Sequence, residues 1–174
     1  MKEDKSKLIS RAMTYGFIMG LIWSVKYLFF IFSFQVHALG RVYWGCTLAV
    51  PYIAYIFTKR YRNEIGGAIS FFHAWRFGLM TYSFAALIVA LPHFIFYEFI
   101  APDDFIANAF KQTVDMFKEA DMTNIADMTS AIKSINLSPI HMAVQQIFNN
   151  IFYGILFSLP VAALLKRPAT ITES

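Results

Sequence analysis

The chain has 174 residues, 57% of them apolar in type and 15% charged, against roughly 45–50% and about 25% in an average soluble domain. With 19 Phe, 9 Tyr and 3 Trp there is too little polar surface to cover a water-soluble monomer, and 8 Gly, 6 Pro and the single Cys46 exclude a collagen-like rod and a disulfide scaffold. The net charge of +4 is an orientation signal, not a phosphate-binding face, because most of the basic residues flank apolar runs and no nucleic-acid motif accompanies them.

Between Arg11 and Arg41 the only charge is Lys26, and residues 12–34 exceed the roughly 20 needed to cross about 30 Å of hydrocarbon. This is the first span. A cleaved signal peptide, with Val36 and Ala38 at the cleavage site, is the competing reading; the length of the run and the lysine within it argue against cleavage. The next uncharged run, 42–58, is at the lower limit of length, with Tyr43, Trp44 and Tyr55 as interface aromatics, and sets a second span at about 40–58. Residues 77–97 are uncharged between Arg76 and Glu98, which gives a third span at about 76–98. From 134 to 165 no charge occurs. Ser138-Pro139 there supplies a helix cap and a proline at the first helical position, and the fourth span occupies about 144–165.

The fold class is therefore all-α: a single polytopic membrane domain over 1–174 with four transmembrane helices. Ten of the fifteen Lys/Arg fall on one side when the termini and the second connection share it: Lys2, Lys5, Lys7 and Arg11, then Lys59, Arg60, Arg62 and Arg76, then Lys166 and Arg167. That side is cytoplasmic, so the topology is N-in/C-in. The connection 101–143 differs from the rest, with Asp103, Asp104, Asp115, Glu119, Asp121 and Asp127 against three lysines. Asp103 can cap one amphipathic helix carrying Ile106, Phe110, Thr113, Val114 and Phe117 on a single face, and Thr123 a second with Ile125, Met128, Ile132 and Ile135. Two roles stand for them: shielding of the helix ends, or a surface for a partner or a lid.

Small residues recur at every fourth position. Ala12, Gly16, Gly20 and Ser24 form a ladder on helix one, Ala74, Gly78, Ala86 and Ala90 one on helix three that Tyr82 interrupts, and Gly154, Ser158 and Ala162 one on helix four. Lipid offers no hydrophobic drive for helix association, so such faces predict close packing of helices one, three and four. The alternative is a homodimer face.

The run Tyr61-Arg62-Asn63-Glu64-Ile65-Gly66-Gly67-Ala68-Ile69-Ser70-Phe71, followed by Ala74 and Gly78, and the closing Tyr97-Glu98-Phe99-Ile100-Ala101-Pro102-Asp103 resemble a bacterial family of four-span inner-membrane proteins of unknown function. The resemblance extends from about Arg11 to Arg167. It implies fold, topology and an inner-membrane location, and it supplies no activity and no site residues.

Polar groups inside the spans are the remaining signal. Lys26 lies about fourteen residues into its span, hence ~21 Å along it at 1.5 Å per residue, and a lysine at that depth suggests function by default. His93 and Glu98 on helix three, and Gln145, Gln146, Asn149 and Asn150 on helix four, fall near the same outer level. One reading joins Lys26, His93, Glu98, Gln145 and Asn149 in an outward-opening polar pocket, with an ion pair between Lys26 and Glu98 and His93 as a proton-sensitive member. The other has Lys26 snorkel to the headgroups while the amides sit at the interface. Pro51, Pro92 and Pro160 predict kinks, Cys46 reads as a small buried residue, and His73 and Arg76 read as partners of lipid phosphates or helix ends.

No C-x-x-C, H-E-x-x-H, G-x-S-x-G or P-loop motif occurs, the four histidines share no ligand spacing, and no carboxylate pair lies within a span. The expectation is no enzyme, no catalytic residue, no metal and no cofactor. Two functions follow. The leading one is an accessory or structural membrane protein whose external helices contact another envelope protein or a second copy of itself, with the lipid bilayer as its medium and no nucleic acid. The alternative is a transporter or small-molecule binder working through the polar outer level.

Overall fold

Each apolar run becomes one long helix because, away from water, every backbone N–H and C=O has to be satisfied within the segment. The structure, a computed structural model, describes residues 6–102, 104–105 and 138–167. Helix α1 covers Leu8–Ser33, α2 Ala38–Glu64, α3 Phe71–Ile95, and α4 Pro139–Leu165, with a π-helical turn over Phe96–Ile100 continuing α3. Three of these segments, Leu8–Ser33, Phe71–Ile100 and Pro139–Leu165, are long and apolar enough to cross a membrane. α2 is equally long, but Arg41 near its start and Lys59, Arg60, Arg62 and Glu64 at its end dilute its apolar run.

The helices outrun the expected spans because the hydrocarbon limits only the apolar part of a helix. α2 continues past residue 58 for more than a turn, and α4 begins at Pro139, well before residue 144. Ser138 stands at the cap position with Pro139 first in the helix, but its hydroxyl pairs with His141 Nδ1 at 2.7 Å instead of taking a backbone N–H. Pro51 and Pro160 lie inside continuous helices. Pro92, which has no N–H for the preceding turn, stands four residues before the π-helical turn. The expected amphipathic helices of the external connection, with Asp103, fall outside the described residues.

α3 is the central helix, packed along most of its length against α1 on one side and α4 on the other, while α2 leans on α1 and α4 and only lightly touches α3. Glycine makes the close approaches possible. A Cβ at Gly16 would stand 2.5 Å from Phe84 Cβ, and one at Gly20 would stand 2.6 Å from Ile88 Cβ, so α1 meets α3 backbone to side-chain root. Gly78 faces Ser158 and Gly154 faces Tyr82 in the same way, each with a Cβ-to-Cβ distance of 2.5 Å on substitution. Dispersion between closely apposed backbones holds such helices together where lipid gives no hydrophobic drive. The outer surface is apolar, with Phe17, Leu48, Leu91, Phe148 and Phe152 exposed, as a bilayer-facing surface has to be.

Candidate functional site

The end of the bundle where α1 starts and α4 stops, inner in the expected topology, is knitted by the connection between α2 and α3. α2 stops in a Schellman motif: Gly66 and Gly67 adopt φ of 100° and 83°, Gly67 N–H donates to the Arg62 carbonyl at 2.8 Å, and Gly66 N–H donates to that of Asn63 at 3.3 Å. The chain then pairs with the end of α4, Ile69 and Arg167 exchanging two backbone bonds of 2.9 Å. Side chains from α1, α2 and α3 and a backbone carbonyl of α4 complete the clasp. Tyr15 donates to Glu64 at 2.6 Å, Arg11 meets the other Glu64 oxygen at 2.9 Å, and Arg62 donates to the Leu165 carbonyl at 3.3 Å. His73, expected to meet lipid phosphates or helix ends, meets no lipid surface but a residue in the last turn of α2. It is buried, with Nε2 at 2.7 Å from the Tyr61 hydroxyl, because the clasp draws the start of α3 under the end of α2. Arg76 stays exposed.

The opposite half, outer in the same expected topology, holds a second polar group. Lys26 extends sideways from α1 to α2, where its ammonium donates to Thr47 Oγ1 at 3.2 Å and lies 4.9 Å from the centre of the Tyr43 ring, with Trp23 at 6.0 Å. Thr47 can accept that bond because its own hydrogen goes to the Tyr43 carbonyl at 2.9 Å. The cation is thus held by a hydroxyl and two aromatic faces, and among the described residues no carboxylate pairs with it. Beside it Tyr27 stacks on His93 with ring centres 3.7 Å apart. His93 Nδ1 is 2.7 Å from the Val89 carbonyl. A carbonyl only accepts, so Nδ1 carries the proton, and in the neutral ring Nε2 keeps a lone pair.

Trp23, Lys26, Tyr27, Tyr43, His93, Gln146 and Asn150 surround a cavity of about 20 Å³, enough for roughly one water. The Trp23 indole N–H is buried and has no hydrogen-bond partner among the described residues. Of the five expected pocket residues, only Lys26 and His93 line this cavity. Glu98 is exposed on the π-helical turn, which turns Phe96 inward instead, so the expected ion pair with Lys26 does not form. On α4 the phase differs by one residue, or about 100° of rotation. Gln146 and Asn150 face the cavity, Gln145 is exposed, and Asn149 donates to Gln146 Oε1 at 3.5 Å.

A larger cleft of about 370 Å³ lies on the other side of Lys26, between α1 and α2. Cys46, expected to be buried, lines it at intermediate exposure. Sequence reasoning missed Tyr43 and Thr47, whose i, i+4 spacing puts both on the face of α2 that meets Lys26.

The fold defines a class, an all-α protein with several helices able to cross a membrane. Within it, the chain belongs to the family described as protein of unknown function (DUF4199), whose model matches residues 14–167. No curated protein and no solved structure matches the chain significantly.

Proposed function

We propose that this is a four-span bacterial inner-membrane protein with cytoplasmic termini, and that it is not an enzyme but a binder of a small molecule in its outer half. The topological part is supported by the clasp. Glu64 at the end of α2 reaches Arg11 and Tyr15 near the start of α1, so if α1 crosses the bilayer, α2 has to bring the chain back across it. In whole cells carrying Cys46→Ser, an impermeant maleimide should label Val36→Cys directly and Asn63→Cys only after permeabilisation. Labelling of both from one side removes α2 as a span.

The observation that carries the binding reading is Lys26: a cation within a span, held among the described residues only by neutral groups, between a polar cavity and an open cleft. Retaining such a group against its desolvation cost makes sense where something uses it. Native mass spectrometry of protein purified in mild detergent should reveal a non-covalent mass on the wild type that Lys26→Ala loses while remaining monodisperse. Equal occupancy in the two proteins, or none in either, rejects the reading. An accessory role through the acidic connection 101–143 is the second reading, favoured by its six acidic residues against three lysines. The same purification tests it, through a protein partner that disappears when residues 106–137 are deleted.

A further inference from the structure

All four helices wall the polar cavity: Trp23 and Lys26 from α1, Tyr43 from α2, His93 from α3, and Gln146 and Asn150 from α4. The Lys26 ammonium sits at this wall, because the two rings that flank it, Tyr43 at 4.9 Å and Trp23 at 6.0 Å, both line the cavity. A charge there, within a helix able to cross a membrane, is costly to keep unless an opposite charge meets it. Among the described residues no carboxylate does so.

Hydrogen-bond accounting gives the cavity a sign. An ammonium has three N–H bonds, and Lys26 uses one of them on Thr47. An indole only donates, and the Trp23 N–H is buried without a partner among the described residues. Asn149 occupies the Gln146 oxygen, which leaves Gln146 its amide hydrogens. Against these donors the described wall carries no carboxylate, and the lone pair of His93 Nε2 needs only a single N–H of the set. The wall is therefore rich in donors and carries a positive charge with no negative one to balance it. A buried donor left in this way calls for a small acceptor beside it.

We infer that this cavity binds a monatomic anion, a halide of the size of chloride or bromide, on the Lys26 ammonium and the Trp23 indole N–H. The inference rests on the small-molecule reading and names its ligand class. Size and charge each narrow the choice. A halide is a single atom and fits a volume of about 20 Å³, which takes roughly one water, whereas a carboxylate or a phosphate brings several heavy atoms. Water would also give the Trp23 N–H an acceptor, but it leaves the ammonium uncompensated. A halide meets both needs, through charge-assisted bonds. Held on α1 and enclosed by the other three helices, it stabilises the bundle, as any ligand of the folded form alone does.

The test melts the full chain, in an uncharged mild detergent, in sodium chloride, sodium bromide and sodium gluconate at equal ionic strength. Gluconate is too large for the cavity and sets the baseline. Chloride and bromide should raise the midpoint by about 3–5 °C at ten times their dissociation constant. Native mass spectra recorded from ammonium bromide give a second readout, one bromide retained by the wild type. Lys26→Arg keeps the charge and should keep both effects, and Lys26→Met should lose both. Trp23→Phe, which keeps an aromatic ring without the N–H, should need about tenfold more halide for half the effect. Each variant is compared with itself in gluconate, so a lower basal stability does not count, and Trp23→Phe carries the test if Lys26→Met yields no monomer. Equal melting in all three salts with no retained bromide makes the cavity a water site and overturns the proposal. A halide shift as large in Lys26→Met as in the wild type is a bulk salt effect and overturns it too. If halides do nothing while spectra from ammonium acetate show another Lys26-dependent mass, the halide assignment fails and the binding reading stands. If that mass is absent as well, both fail.

Discussion

Gly154→Leu is expected to abolish the monodisperse, detergent-solubilised protein, whereas Gly45→Ala leaves it unchanged. At Gly45 an added Cβ meets nothing within 4 Å, while at Gly154 it meets Tyr82 Cβ at 2.5 Å and Cγ at 2.9 Å. Tyr82 cannot retreat. It is fully buried and packs edge-on against Trp23 with ring centres 5.4 Å apart, so its far side is already occupied by α1. The strain therefore falls on the separation of α3 and α4, and one turn away the contact between Gly78 and Ser158 opens with it. Overpacking a core costs about 1–3 kcal/mol when side chains can adjust, and occasionally more. With a branched side chain forced against a pinned tyrosine, Gly154→Leu belongs at or beyond the upper end. Gly78→Leu should behave similarly. Gly16→Ala should lie between these and the control: its Cβ meets Phe84 Cβ at 2.5 Å and the Thr81 carbonyl at 2.9 Å, but no branched side chain follows it. The measurement is the temperature at which half of the gel-filtration monomer peak is lost. If Gly154→Leu and Gly45→Ala melt together, close approach does not hold α3 to α4.

The helices that the apolar runs predict are present because hydrocarbon leaves the backbone almost no alternative, and length with composition is enough to find them. Their ends were less legible. The polar last turns of α2 are held by partners far along the chain, such as Tyr15 for Glu64 and Leu165 for Arg62, and no local pattern encodes those pairings. Gly66 and Gly67 have the left-handed conformation that glycine permits, although in the sequence they stand out only within the stretch that carries the family resemblance. At the outer site, Lys26 stands out in the sequence because a charge in an apolar span is an exception. Its partner does not, since that depends on helix rotation. In a span that is apolar all round, little distinguishes the phase that presents Gln146 and Asn150 from the one that would present Gln145 and Asn149. Depth is set by counting residues along the axis and was readable to within a turn. Azimuth is set by packing, and it decided that Lys26 meets Tyr43 and Thr47 while Glu98 turns outward.

Phe77→Ala should produce the largest loss at the inner end of the bundle, although Phe77 makes no polar bond itself. Its side chain is 0% exposed. The ring stacks on Tyr61 with centres 4.1 Å apart and 7° between planes, and meets Tyr15 edge-on at 5.9 Å. Those two tyrosines carry the hydroxyls that bond His73 and Glu64, so one apolar ring fixes the positions of two clasp bonds. Truncation of a buried Phe costs about 3–5 kcal/mol in soluble cores. Within a bilayer the transfer part of that cost shrinks, because the unfolded reference is already in lipid. Phe77 lies two turns from the start of α3, close to the basic residues of the clasp, and the lost dispersion and ring-pair terms remain, the latter about 0.5–1.5 kcal/mol per pair. About 3 kcal/mol is the expected loss. It should show both as a lower melting temperature and as faster tryptic cleavage in inverted vesicles after Arg62 and Arg76, which flank the loosened clasp. Phe77→Leu keeps most of the volume and loses only the ring pairing, so it should lose about 1 kcal/mol. Phe72→Ala is the control, since that neighbouring ring is 66% exposed. Equal protease lifetimes for Phe77→Ala and Phe72→Ala would show that the Tyr61 and Tyr15 bonds hold without the ring between them, and that the inner end is fixed by its backbone pairing with α4.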